Sequence, residues 1–251
     1  MIDRQVPTGE EIYSALIGLF KRALCCDQRV LRNALFPSDP ELDLSTGTNV
    51  PFWEHDEIIG FVEMLEDLIS QHKQSVQTEI RLRLIGYCHI MEADFPFAVI
   101  WNLLRITAGQ APSWNFVVQD DKGMTVVCEY PRQKINAIAS LALQLKEPLG
   151  DCLKRLWVPI VRNAFTHAQY SLMDAVEYCG YMMRTKGLSP ISRKSPKDIR
   201  DGKGNPSFDD IRSLYQGALA LLKSFVTGYN EACKTFSIHN REFNRRLSPS
   251  G

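Results

Sequence analysis

Between Ile211 and Cys233 the residues Ile211, Leu214, Tyr215, Ala218, Leu222, Phe225, Val226, Tyr229 and Cys233 recur with the three-and-four spacing of one helix face. A stripe of that length and period is an amphipathic α-helix, and its apolar side has to be buried against other elements. The economical fold for such a helix is a bundle of antiparallel helices. Ser207 and Asp210 stand at capping-box spacing just ahead of the stripe and predict where the helix begins.

The remaining chain supplies the partners. Thr8-Gly9-Glu10-Glu11 has capping-box spacing, and Ile12, Ala15, Leu16, Leu19, Phe20 and Ala23 follow at helical period, predicting a helix over Gly9 to Cys26. A second helix is predicted from Asp56, through Ile58, Ile59, Val62, Leu65, Leu68 and Ile69. The polar interval Gln71 to Glu79 either continues or breaks it, and Ile80, Leu84, Ile85, Tyr87, Cys88 and Met91 form a third segment. Asp94 is expected to cap a further helix whose first turn tolerates Pro96, with Val99, Ile100, Leu103 and Leu104 facing inward. Between Trp114 and Glu129 the period changes, and Asp120-Asp121-Lys122-Gly123 separates two extended runs as in a β-hairpin. A helix over Lys134 to Lys146 follows, and Asp151 is expected to start one that runs on past Arg162.

These elements predict a mainly all-α fold, an antiparallel helical bundle with a small β-hairpin insertion. Residues 1–238 form a single domain with loop insertions at 37–51 and 186–206 and the hairpin at 114–129, and 239–251 form a flexible basic tail. With 29 basic and 29 acidic residues the formal charge is zero, which argues against wholesale coating of nucleic acid. An RNA site would have to be local. No apolar run approaches the ~20 residues needed to cross a bilayer, and the first residues lack a signal-peptide layout, so the chain is expected in the cytoplasm without a membrane. The seven cysteines (Cys25, Cys26, Cys88, Cys128, Cys152, Cys179 and Cys233) include no CxxC pair and read as reduced core residues. No metal and no cofactor are expected.

Chemistry concentrates around Arg162-Asn163-Ala164-Phe165-Thr166-His167. On one continuous helix Leu153, Leu156, Trp157, Ile160, Ala164 and Ala168 share the core face, while Asn163, His167 and Tyr170 at i, i+4 and i+7 form a polar stripe. Arg162 falls nearly opposite, beside Val158, Val161, Phe165 and Leu172, so a second set of neighbours must cover that side: the rest of the bundle or another copy of the chain. Pro159 favours a kink just before the motif. Arginine and histidine are a sufficient kit for one reaction. An RNA 2′-hydroxyl can attack the adjacent phosphate if a group titrating near neutrality moves the proton and a fixed cation stabilises the phosphorus centre. Asn163, one turn before His167, can hold the imidazole or the phosphate.

The pattern of Arg162, the polar Asn163 beside it, and His167 after a short interval resembles the signature of the HEPN family of helical ribonucleases. Glu92-Ala93-Asp94-Phe95-Pro96 and the stretch from Ser207 to Tyr229 are similar to segments of bacterial members. The resemblance implies catalysis by Arg162, Asn163 and His167, cleavage without metal that leaves a 2′,3′-cyclic phosphate, and a homodimer with two motif copies facing each other. It also implies a role in toxin–antitoxin or antiviral defence, with RNA as the target. Some HEPN toxins are silenced by a nucleotidyltransferase-type antitoxin at a tyrosine two residues after the histidine; here Tyr170 lies three after, and reads as an auxiliary residue, a packing or hydrogen-bonding neighbour of His167 ahead of a modification site. Other members are catalytically silent and bind a nucleotide or a partner protein, which is the alternative reading.

Three further groups stand outside the motif. Arg32-Asn33-Ala34 repeats the start of the motif without a histidine and reads as structural. His89, Glu92 and Asp94 have a spacing that could suit a metal, but a helix end followed by an Asp cap accounts for them. Lys186, Arg193, Lys194, Lys197, Arg200 and Lys203 make a basic loop, and Arg193, Lys194, Lys197 and Arg200 are the candidate RNA contacts.

Overall fold

A computed structural model of the chain describes residues 5–36, 54–71, 75–119, 123–166, 170–175, 180–185 and 206–247. The order of elements is α1 (Gly9–Ala23), α2 (Gln28–Leu35), α3 (Glu54–Gln71), α4 (Val76–Glu92), α5 (Asp94–Thr107), β1 (Val117–Gln119) and β2 (Thr125–Val127). Then follow α6 (Pro131–Gln144), α7 (Leu149–Leu156), α8 (Pro159–Thr166), β3 (Tyr170–Ala175), β4 (Gly180–Thr185) and α9 (Phe208–Leu247). The fold is mainly helical with a small antiparallel hairpin at β1–β2, as expected, and a second small hairpin at β3–β4.

Helix α9 is the spine. It packs along α1 and α4, and Ile211, Leu214, Tyr215, Ala218, Leu222, Phe225 and Tyr229 of its stripe are buried. The Ser207 hydroxyl accepts from the Asp210 amide and the Asp210 carboxylate accepts from the Ser207 amide, closing the predicted cap. The Thr8 and Glu11 side chains cap α1 in the same reciprocal way. Close approach of α4 to α9 needs Gly86, where a Cβ would sit 2.5 Å from the Tyr215 ring. Tyr215 in turn donates to Glu66 on α3 at 2.6 Å.

Helix α5 is buried on nearly every side, from Phe95 through Leu104, rather than on the single face expected of it. Such a helix is the centre of its bundle. Its start also differs: Ala93 is the N-cap and Asp94 the first helical residue, and the Asp94 carboxylate accepts from Lys134 Nζ on α6 at 2.6 Å. An acid in the first turn is favoured by the helix dipole without capping it.

Other boundaries are corrected too. Helix α1 stops at Ala23, and Asp27 caps α2, an element not anticipated, by accepting from the Arg29 and Val30 amides. The polar interval is a break, with Ser75 capping α4. Pro131 starts α6 earlier than expected, at a position that needs no amide hydrogen. The β1–β2 hairpin pairs Val117 with Val127 and Gln119 with Thr125, with Gly123 at φ +75°. A second hairpin, β3–β4, was not anticipated. Helix α9 runs to Leu247, through most of the expected tail, because no Gly or Pro interrupts the chain between Tyr229 and Pro249. Residues 248–251, the loop at 37–51 and all but Pro206 of the loop at 186–206 lie outside the described residues.

Cys88, Cys128 and Cys152 are buried as expected, but Cys26 and Cys233 are only half-buried and Cys25 is exposed; all six are free thiols. Cys179 lies outside the described residues. Among the described residues no helix is long and apolar enough to cross a membrane.

Candidate functional site

The helix expected to run from Asp151 through the motif is broken in two. A proline ring clashes with the carbonyl four residues back and pushes the preceding residue out of helical conformation. Accordingly α7 ends at Leu156, Trp157 turns extended at φ −78° and ψ 106°, and Pro159 becomes the first residue of α8. The Val158 carbonyl accepts from the Val161 and Arg162 amides at 3.1 and 3.3 Å and starts the new helix.

A break in the core strands backbone groups that must find partners. Tyr87 of α4, 1% exposed, supplies both: its hydroxyl donates to the Leu156 carbonyl at 2.9 Å and accepts from the Val158 amide at 3.0 Å. One side chain thus staples both lips of the break to α4.

The same helix ends on Glu92, which meets Arg162. Arg162 Nε donates to Glu92 Oε1 at 2.5 Å and Nη2 to Oε2 at 3.2 Å, a two-pronged ion pair along the side of the guanidinium. Nη1 donates to the neutral Asn163 Oδ1 at 3.3 Å. Glu92 raises the Arg162 pKa further, chiefly through these hydrogen bonds, so the cation is permanent. Both side chains stay partly open to solvent, Arg162 at 23% and Glu92 at 31%.

The surroundings leave this pair undisturbed. Burial pushes the Cys88 thiol up to about 12, with the Glu92 charge adding to the effect, so it is a neutral neighbour. Burial lowers the His89 pKa, and its ring packs on Phe61 at 4.4 Å between centroids. With Glu92 committed to Arg162 and Asp94 to Lys134, the metal reading of His89, Glu92 and Asp94 has no support. Among the described residues no group of His, Cys, Asp and Glu could hold a metal ion.

Of the predicted site, Arg162 and Asn163 come together on α8. His167 lies outside the described residues, as do Arg193, Lys194, Lys197 and Arg200. Tyr170 is not one turn beyond His167 on a helix: α8 ends at Thr166, and Tyr170 opens β3, its backbone paired with Thr185 of β4. The helical stripe of Asn163, His167 and Tyr170 is therefore corrected, because cross-strand hydrogen bonds rather than helical ones satisfy this backbone. The second apolar face is covered from within the chain. Val158 and Val161 are buried in the core, and Phe165 and Leu172 pack partly buried against it. That face no longer argues for a second copy.

The other Arg-Asn-Ala triplet supplies a control. On α2, Ala34 is buried while Arg32 and Asn33 are exposed, and Arg32 has no ion pair among the described residues. The Asn33 carbonyl merely accepts from Trp114 Nε1 at 3.1 Å. What distinguishes Arg162 is Glu92, which sequence reasoning placed only at a helix end. A signal existed: a carboxylate in the last turn opposes the helix dipole, and asks for a cation from elsewhere. The chain matches no protein-family model, no curated protein and no solved structure.

Proposed function

We propose that the chain is an endoribonuclease that cleaves RNA without a metal, using His167 for proton transfer, Arg162 to stabilise the phosphate and Asn163 to orient them. The observation that carries this reading is the state of Arg162: a permanent cation, gripped on one edge by Glu92 and partly open to solvent. In the reaction the RNA 2′-oxygen attacks phosphorus and the bond to the 5′-oxygen breaks, leaving a 2′,3′-cyclic phosphate. His167 takes the 2′-hydroxyl proton or returns one to the 5′-oxygen, and the Arg162 fork meets the charge that grows on the phosphoryl oxygens.

The test is incubation with single-stranded RNA in a chelator. His167→Ala and Arg162→Ala should each lose cleavage by on the order of 10²-fold or more; cleavage retained in both rules the assignment out. The resemblance adds a homodimer facing its two motifs together, which light scattering at micromolar concentration checks: a strict monomer that still cleaves removes it. It also adds a role in toxin–antitoxin or antiviral defence, in which a nucleotidyltransferase-type antitoxin would restrain the enzyme at Tyr170. Co-expression with such a partner should then add a nucleotidyl mass to the wild type and not to Tyr170→Phe; addition to neither removes this restraint. One observation favours a second reading, a silent module binding a nucleotide or partner protein: the Glu92 charge neutralises Arg162. It predicts binding that survives His167→Ala and no cleavage at any enzyme concentration.

A further inference from the structure

We infer that Glu92 is a positioning residue for this site: its carboxylate fixes the Arg162 guanidinium by the Nε and Nη2 side, so that the Nη1 and Nη2 end is presented to an RNA phosphate. The inference rests on the reading of the site as a ribonuclease.

A guanidinium has two useful edges. The side edge is formed by Nε and Nη2, and the end edge by Nη1 and Nη2, and either can grip two oxygens at once. Here Glu92 occupies the side edge with both prongs. Toward the end edge the only protein acceptor among the described residues is the neutral Asn163 amide oxygen at 3.3 Å, and no second carboxylate reaches it. Among the described residues the arrangement leaves the anion-binding end without a competing charge. A phosphate has the oxygens to take it.

Two independent facts set this apart from an ordinary docking contact. Tyr87 already holds the start of α8 to α4 through both lips of the break, so α8 does not depend on Glu92 for its attachment. Glu92 also occupies the last turn of α4, where the carbonyl end of the dipole disfavours a carboxylate, so α4 itself gains nothing from it. Both point to a residue placed for the sake of Arg162. The benefit is entropic: a free arginine loses rotamer freedom when it grips an oxyanion, and a partner that removes that freedom in advance spares the transition state the cost.

Steady-state cleavage of a single-stranded RNA by the full chain, in a chelator, tests the role. Glu92→Gln keeps the shape but offers one acceptor oxygen instead of two. Its kcat should fall on the order of 10- to 100-fold, as expected when a reacting group is displaced by about an ångström, with KM changed by less than about threefold. Glu92→Asp, which keeps the charge, should recover part of that loss. Circular dichroism at the assay temperature confirms that each variant is folded. A folded Glu92→Gln with wild-type kcat, or a loss that Glu92→Asp does not relieve, overturns the positioning role. If Arg162→Ala cleaves like wild type, or the wild-type chain cleaves no RNA, the ribonuclease reading falls and the positioning role with it. An inactive Arg162→Ala beside a fully active Glu92→Gln removes the positioning role alone.

Discussion

Helix α4 carries an arginine fork at each end. At its first turn Glu79 receives Arg212 Nε and Nη2 at 3.0 and 2.9 Å, and Arg83 adds a third contact at 2.8 Å. Arg212 Nη1 is taken by Asp209 at 2.8 Å, and Arg83 lies over the Tyr215 ring. Two acids and two bases therefore close on one another, at an end of the helix where the dipole favours the acid. At the last turn Glu92 meets Arg162 in the same side-on manner, but the dipole opposes the acid and the remaining arginine nitrogen finds only an amide. The Glu79 side chain is 13% exposed and that of Glu92 31%. The same side-on fork is thus closed by charge on every prong at Arg212, whereas at Arg162 one edge meets only an amide, the edge that the proposed function assigns to a phosphate.

The sharpest way to break that contrast is to remove each arginine. Arg162→Ala should abolish RNA cleavage by on the order of 10²- to 10³-fold, the usual cost of losing one donor to a developing oxyanion. Arg212→Ala should leave kcat within about threefold and instead lower stability by about 2 kcal/mol, since it strips charged hydrogen bonds from Glu79. Cleavage assays beside urea melts decide it. If the two effects fall on the same observable, the forks are not different in kind.

Tyr87 lies on α4 between the forks and tests their independence. Tyr87→Phe leaves the Leu156 carbonyl and the Val158 amide buried without their partner, which should destabilise the chain by about 2 to 3 kcal/mol in urea unfolding. The loss should propagate to Arg162, which begins one turn later, and reduce cleavage. An unchanged urea midpoint would show that the break satisfies itself by another route.

Acid should separate the forks more gently. Arg212, with Arg83 behind it, holds the Glu79 carboxyl down to about 2 from an ordinary 4.5. A carboxyl lowered in the folded state contributes stability above its unfolded pKa and loses it as pH falls toward the folded one. The contribution is therefore complete at pH 7 and fades between about pH 4.5 and pH 2. Glu79→Gln should cost about 1 to 2 kcal/mol at pH 7, less than the full shift because the pair is partly solvated. Its stability should converge on that of wild type near pH 2, followed by denaturant melts across this range. A difference that stays constant down to pH 2 would mean that Glu79 acts by packing and not by charge.

What could be read from residue order alone follows a physical boundary. The caps at Thr8 and Glu11 and at Ser207 and Asp210, the stripe of α9, the turn at Gly123 and the kink expected at Pro159, which the structure makes a full break, are local. Each depends on residues within a few positions of one another. The Glu92–Arg162 fork spans 70 positions and the Tyr87 staple 69 and 71, and nothing in either segment names the other. Hairpin β3–β4 escaped for the opposite reason. Its strands are joined through Val176-Glu177-Tyr178-Cys179, a run with no Gly, Pro, Asn or Asp to mark a turn. Helix α5 misled because apolar residues all round a helix carry no preferred face.

The smallest effect is expected at Arg32, and it sharpens the contrast most economically. Arg32-Asn33-Ala34 and Arg162-Asn163-Ala164 are the same three residues on two eight-residue helices. Arg32 is exposed, with no carboxylate to orient it among the described residues, so the cost of ordering it would fall on any phosphate it bound. Arg32→Ala should therefore change cleavage by less than about twofold, and stability by less than about 0.5 kcal/mol, as for surface substitutions in general. A large loss of cleavage at Arg32 would show that a lone exposed arginine suffices for the chemistry, and that the fork at Glu92 is not what sets Arg162 apart.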